Sequence, residues 1–144
     1  MSLKIFQRWF NAPPQTRAGS IRDKLGKKHW MVWDVERFEC MAELHLTHRG
    51  RWVGILSAHR EEDGSITLAD MMVLQRDGLR GGGLGKAMIQ ELIRWAEANN
   101  YRSIRGVIKP HDGSTVKYLT EWYSRQGFTV KDGHIFLALQ RKSP

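Results

Sequence analysis

Apolar and polar residues alternate along the first half of the chain with the two-residue period of half-buried β-strands. The pattern predicts four strands, at residues 30–35, 38–47, 51–57 and 65–74. Short connections join them, with Arg49-Gly50 after the second strand and Gly64 at the end of the next loop. Because strands linked by tight turns pair antiparallel, the sequence predicts a β meander.

The period changes after residue 83. Apolar residues then recur every four positions, at Leu84, Met88, Leu92 and Ala96. This spacing predicts an amphipathic helix of about four turns. Asn99-Asn100 is expected to end the helix, since Asn tolerates the left-handed backbone of helix C-termini.

The last third of the chain predicts a strand at residues 104–108, a second helix at about residues 115–126 and a hairpin around Asp132-Gly133. Residues 112–114 (Asp, Gly, Ser) supply N-cap chemistry for this helix. Its predicted apolar face consists of Val116, Leu119 and Tyr123.

The first predicted strand is preceded by a less regular segment, residues 16–28. Ile21 and Leu25 stand four apart there among basic residues, which allows a short amphipathic helix.

The chain has 144 residues, of which 41% are hydrophobic, and this is the size of one globular domain over residues 1–144. No apolar run is long enough to cross a bilayer, and residues 1–10 lack the pattern of a signal peptide. The single cysteine, Cys40, fits a reducing compartment. We therefore expect a cytoplasmic protein without a membrane partner.

The net charge of +8 is unevenly placed, because residues 1–28 carry seven basic residues against Asp23 alone. Such an end favours an anionic partner: a phosphorylated cofactor, nucleic acid or an acidic protein. A solvated face that aids solubility explains the same charge equally well.

Four glycines precede the long helix within the segment Arg80-Gly81-Gly82-Gly83-Leu84-Gly85-Lys86. Glycine backbone approaches a ligand closely, and amides at a helix N-terminus hold phosphate groups. The spacing is not that of a P-loop, because Arg80 stands where that motif needs Gly. It does not fit a dinucleotide fingerprint either. A flexible loop without a ligand is the structural alternative.

Two motifs within this order of elements resemble the GNAT superfamily of acyl-coenzyme A-dependent N-acyltransferases. Arg80, Gly83 and Gly85 match the family's Arg/Gln-x-x-Gly-x-Gly/Ala signature. The segment from Tyr123 to Phe128 matches its Tyr-x-x-x-Gly-Phe motif. The resemblance covers about residues 38–140 and implies an α/β (α+β) fold with a mostly antiparallel, V-splayed mixed sheet flanked by helices.

The resemblance also implies that acetyl-CoA binds with its pyrophosphate on the amides of the glycine segment and its pantetheine arm along the fourth predicted strand. The implied cofactor-binding residues are Met72, Val73, Leu74, Arg80, Gly81, Gly82, Gly83, Leu84, Gly85, Lys86 and Ser114. We expect no metal, because the six histidines lack metal-ligand spacing.

Acetyl transfer to an amine needs a proton acceptor for the amine and a proton donor for the departing thiolate. Tyr123 matches the family's general acid, with a packed aromatic as its alternative role. Asp70 is a candidate base. Alternation places it on the same face as Leu68 and Met72, where burial would make the carboxylate a stronger base. A paired structural carboxylate is the alternative for Asp70.

Other residues could relay a proton through water: the pair Glu43 and His45, which share one face of an earlier strand, or His111 after the fifth strand.

The sequence therefore predicts an acetyl-CoA-dependent N-acetyltransferase that acts on a primary amine by direct attack in a ternary complex. The acceptor could be a small amine, an amino acid, a protein amino terminus or lysine, or an aminoacyl group on RNA. The alternative function is a catalytically silent module of the same fold that binds nucleic acid or an acidic protein through residues 1–28. Monomer and homodimer both remain open.

Overall fold

The computed structural model describes residues 17–35, 40–74, 83–110 and 115–140. In chain order its elements are β1 (Arg17–Arg22), β2 (Lys28–Val35), β3 (Met41–His48), β4 (Arg51–Arg60), β5 (Ser65–Val73), α1 (Leu84–Ala98), β6 (Ser103–Val107), α2 (Val116–Arg125), β7 (Thr129–Lys131) and β8 (His134–Ala138). Neither of the two helices found in these ranges is long and apolar enough to cross a membrane.

All eight strands of the described ranges form one sheet in the order β1-β2-β3-β4-β5-β6-β8-β7. Neighbouring strands pair antiparallel except β5 and β6, which are parallel. This confirms the predicted fold class and the meander. Two predicted turns have positive φ at both central residues, 51° and 76° at Arg49-Gly50 and 51° and 75° at Asp132-Gly133. Such turns match the twist of the strands that they join.

The predicted helix over residues 16–28 is wrong for its described part, residues 17–28, which forms β1, a turn and the start of β2. The Asp23 carboxylate causes the reversal by accepting the amides of Leu25 and Lys27 at 2.9 and 3.0 Å. Leu25 is 60% exposed, so the four-residue spacing from Ile21 belongs to a strand and a turn rather than to one helical face.

One face of the sheet packs against α1. Trp33, Leu44, Leu56 and Met71 lie opposite one another on β2 to β5, and Trp95 of α1 stacks on Trp33 with ring centroids 4.8 Å apart. We call this side the helix face. The four residues predicted to recur along α1 are all buried, which confirms the helix and its apolar side.

The second helix begins at Val116, one position later than predicted. Thr115 is the N-cap and accepts the amide of Tyr118 at 3.1 Å, so the prediction of the cap at residues 112–114 is wrong; these residues lie outside the described ranges. Leu119 and Tyr123 pack toward the core as predicted. Val116 does not, since it is 50% exposed.

A β-bulge in β5 changes which side chains face the helices. Ser57 of β4 pairs with Asp70 whereas Ala58 pairs with Leu68, so Ala69 is an extra residue. Beyond it, Asp70 and Met72 lie on the side opposite the helix face, which we call the far face. The predicted alternation that placed Asp70 and Met72 beside Leu68 is therefore wrong.

Candidate active site

Strands β5 and β6 separate partway along their length. They pair from Ser65 with Ser103 to Leu68 with Gly106, after which β5 continues on β4 alone. A Cβ on Gly106 would lie 3.0 Å from the Leu68 carbonyl oxygen, so glycine permits the close approach at the last pair. The Lys109 ammonium spans the gap and donates to the Ala69 carbonyl oxygen at 3.1 Å. We call this gap the fork.

Backbone groups of β5 face the fork. The Leu74 amide donates to the Val53 carbonyl of β4 at 2.9 Å. Because amides alternate in direction along a strand, the Val73 amide points away from β4 and toward the fork. Leu74, a predicted cofactor-binding residue, thus has its amide engaged inside the sheet, whereas the Val73 amide does not donate to β4.

The N-terminus of α1 lies beside the same end of β5. Gly83 caps it with φ of 82°, no side-chain oxygen bonds the amides, and no acidic residue stands in the first turn. The Leu84 side chain is buried, so only its amide can contact a ligand, while the Lys86 side chain is exposed. Free amides and the helix dipole make this end suitable for phosphate. Residues 80–82 of the glycine segment lie outside the described ranges.

Gly85 brings both helices and β5 together. A Cβ at this position would lie 3.5 Å from the Trp122 ring and 4.0 Å from the Met71 Cε. The sequence reasoning missed Trp122. Its signal was the three-residue spacing from Leu119, which places both side chains on one side of α2. It also missed Lys109. The signal for this residue was its position, as a basic residue just after the strand that borders the fork.

Tyr123 is buried beside the fork, with only 9% of its surface exposed. Its ring meets the edges of Trp122 and Phe128, with centroids 5.0 and 5.7 Å away. Burial raises the pKa of Tyr123 to about 12, and the negative charge of Asp70 adds to this effect. The structure thus brings the predicted acid and the predicted base within electrostatic reach of each other.

The sequence matches the family model of acetyltransferase (GNAT) proteins over residues 4–128. The chain belongs to the GNAT family. No curated protein matches the sequence.

Solved GNAT structures share the fold. The GNAT domain of S. lividans PAT is 12% identical, with a TM-score of 0.67, and the match covers 88% of this chain and 99% of that domain. The ribosomal-protein-S18-alanine N-acetyltransferase of Escherichia coli is 19% identical, with a TM-score of 0.55 and coverage of 72% and 70%. The PaiA N-acetyltransferase of Thermoplasma acidophilum, in complex with coenzyme A, is 14% identical, with a TM-score of 0.54 and coverage of 69% and 60%.

Two further predicted site residues of this GNAT protein, Asp70 and Met72, are exposed on the far face. Asp70 is exposed, and its Oδ1 accepts the Met71 amide at 2.9 Å, so the expected burial of its carboxylate is wrong. Met72 is 48% exposed on the far face. His111 and Ser114 lie outside the described ranges.

Glu43 and His45 form a pair on the far face, with Oε2 and Nε2 3.2 Å apart. The His45 ring lies against Trp52 at 4.0 Å between centroids. Register places His45 two strands from Met72, opposite Ile55, which is about 10 Å at ordinary strand spacing. This distance is too long for a direct proton transfer from the pair to the fork, and the predicted relay through water stays a prediction. No metal-binding cluster of His, Cys, Asp and Glu occurs within the ranges that the structure describes.

Proposed function

We propose that this GNAT protein transfers the acetyl group of acetyl-CoA to a primary amine by direct attack in a ternary complex. The observation that carries the proposal is the fork between β5 and β6, which lies beside the N-terminus of α1, where no side chain caps the amides, and near the buried ring of Tyr123.

The described residues suit the cofactor at two places. The amides of Leu84, Gly85 and Lys86 would hold the pyrophosphate, and the Lys86 ammonium would add positive charge. Arg80, Gly81, Gly82 and Ser114 keep the roles that the sequence predicts for them. The arm of the cofactor would follow β5 at Met72 and Val73, since those residues have no β6 partner.

Bound acetyl-CoA supplies an activated carbonyl and a sulfur leaving group. The Val73 amide would donate to the carbonyl oxygen as negative charge develops there. The amine nitrogen bonds to the acetyl carbon, the carbon–sulfur bond breaks, the amine gives its proton to Asp70, and Tyr123 donates to the departing sulfur. Asp70 would later return the proton to Tyr123 through water.

The two proton transfers would assist each other. The pKa of about 12 keeps the Tyr123 hydroxyl protonated, yet it lies above the value of about 8.5 for an ordinary thiol. Part of that elevation comes from the negative charge of Asp70. When Asp70 takes the amine proton, this charge disappears and Tyr123 becomes a stronger acid as the thiolate leaves.

Calorimetric titration with acetyl-CoA tests the proposal, with Gly83→Val as the decisive variant. The intact protein should bind about one equivalent near micromolar affinity, or about −8 kcal/mol. Valine at Gly83 should weaken binding at least about tenfold, because its side chain would occupy the space that phosphate needs.

Gly133→Val is the matched control. Gly133 has a φ of 75°, close to the 82° of Gly83, and a Cβ at either position meets nothing within 4 Å. Both variants therefore incur similar backbone strain, but Gly133 lies in the β7–β8 turn. Equal affinity of the two variants for acetyl-CoA, or no binding by the intact protein, would refute the proposed site. Binding without transfer to any amine would favour the silent module.

A further inference from the structure

A groove of about 410 Å³ lies on the far face at the edge of the sheet formed by β1, β2 and β3. Its lining includes Arg17, Lys28, Trp30, Val32, Thr47 and Arg49. This volume is in the range of ligand-binding clefts. The groove lies away from α1 and is not used by the proposed acetyl transfer.

Two cations share one aromatic ring in the groove. The Arg17 Cζ lies 4.6 Å and the Lys28 Nζ 4.3 Å from the centroid of the Trp30 ring. Each gains a cation–π interaction, but the two positive charges repel each other. Within the described part of the chain, no carboxylate forms an ion pair with either of them. A bound anion would remove this repulsion.

Positive charge continues beyond the groove along the β1–β2 hairpin, where Arg22, Lys24 and Lys27 are exposed. Of the hairpin's two acidic residues, Asp34 lies near the other end of β2, and Asp23 does not offset this charge at the surface. Asp23 is buried and bonded to His29, with Oδ2 and Nε2 2.8 Å apart. The cationic surface is therefore longer than a single phosphate and favours an anion with several charges in a row.

An aromatic ring among cations distinguishes between two kinds of polyanion. A nucleic-acid strand uses both features, since its phosphates contact cations while its bases stack on rings. An acidic peptide uses the cations alone. Trp30 is partly exposed within the groove, so a base can stack on its ring once Arg17 or Lys28 turns from the ring to a phosphate.

We propose that this groove and the adjoining β1–β2 hairpin bind the phosphate backbone of a single nucleic-acid strand. Val32 of the groove begins a row of paired residues on the far face. Val32 lies opposite His45, His45 lies opposite Ile55, and Ile55 lies opposite Met72. Three strand spacings make this distance about 14 Å. A nucleic-acid strand bound in the groove would thus lie on the same face and at the same end of the sheet as Met72.

Fluorescence anisotropy with a labelled oligouridine of about 12 nucleotides tests the proposal on the full chain. The double variant Arg17→Gln/Lys28→Gln should bind about tenfold or more weakly. Its salt dependence, measured between about 50 and 200 mM, should flatten by about 1.4 in the slope of log affinity against log salt. The double variant Arg125→Gln/Lys131→Gln removes the same charge near the opposite edge of the sheet and should bind like the intact protein.

Trp30→Leu separates the two polyanions. The variant should weaken oligouridine binding several-fold while leaving the affinity for an oligo-aspartate peptide unchanged. The proposal is overturned if both double variants lose affinity equally, or if the peptide binds more tightly than the oligouridine. The Arg17→Gln/Lys28→Gln protein should retain its acetyl-CoA affinity, so failure of the nucleic-acid site is distinguishable from failure of the proposed acetyl transfer.

Discussion

The two faces of the sheet use the same strands for different purposes. On the helix face, Leu44 and Leu56 are fully buried under α1. On the far face, Trp52 is 59% and Met72 48% exposed, although they belong to the same or adjacent strands. Because side chains alternate along a strand, one set of backbone bonds supports a packed core on one side and an accessible surface on the other.

Tyr123 breaks this division, because it is buried with the helices and yet proposed to act on the substrate. Tyr123→Phe keeps the ring in place and removes the hydroxyl. We expect kcat to fall about 10²- to 10⁴-fold, the range for a lost proton donor, with acetyl-CoA affinity changed less than about twofold. Thiol release from acetyl-CoA with a reactive amine measures the rate.

Tyr118→Phe is the control for that variant, since Tyr118 lies on the same helix but is 52% exposed. Its rate should equal that of the intact protein. An unchanged rate for Tyr123→Phe would remove Tyr123 from the mechanism and leave it as a core residue.

Two truncations sharpen the comparison of the faces. Leu56→Ala should lower the free energy of unfolding by about 2–5 kcal/mol, since it leaves a cavity in the core. Met72→Ala, at the neighbouring strand position on the far face, should cost less than about 1 kcal/mol. Urea unfolding gives both values, and similar losses would contradict the assignment of the core to the helix face.

A smaller effect separates buried from exposed tyrosines at high pH. The pKa of Tyr123 rises to about 12 in the fold, above the ordinary tyrosine value of 10.0. The fold thus favours the protonated hydroxyl, and its contribution is complete below pH 10 and lost as pH rises toward 12. We expect a loss of roughly 2 to 3 kcal/mol over this interval. Tyr123→Phe should lack this part of the alkaline destabilisation in pH-dependent urea unfolding, and an identical loss would contradict the raised pKa.

The regular elements could be predicted because their signals are local. The four-residue period of α1 and the Asp132-Gly133 turn depend on neighbouring residues alone. The hairpin at residues 17–28 could not, since Ile21 and Leu25 have the same spacing whether a helix or a turn lies between them. The Asp23 bonds that decide it become visible only in the structure.

The sequence predicts residues of the candidate site where they belong to a motif, at the glycine segment and at Tyr123. The other parts of the site depend on residues far apart in the sequence. Lys109 meets Ala69 across forty positions, and Trp122 meets the position of Gly85 from another helix. The side of the sheet on which Asp70 lies was missed, because an added residue in a strand interrupts the alternation without changing its composition.

The bulge at Ala69 depends on the number of residues in β5 and not on which side chains they carry. A strand shorter by that residue would keep Met71 toward the helices and Met72 away from them. What it would lose is the local bend and added twist of a bulge, at the point where β5 leaves β6. The shape of the fork thus depends on the presence of a residue at position 69 rather than on its side chain. An alanine scan would leave this position unaltered, whereas its deletion would remove the bulge.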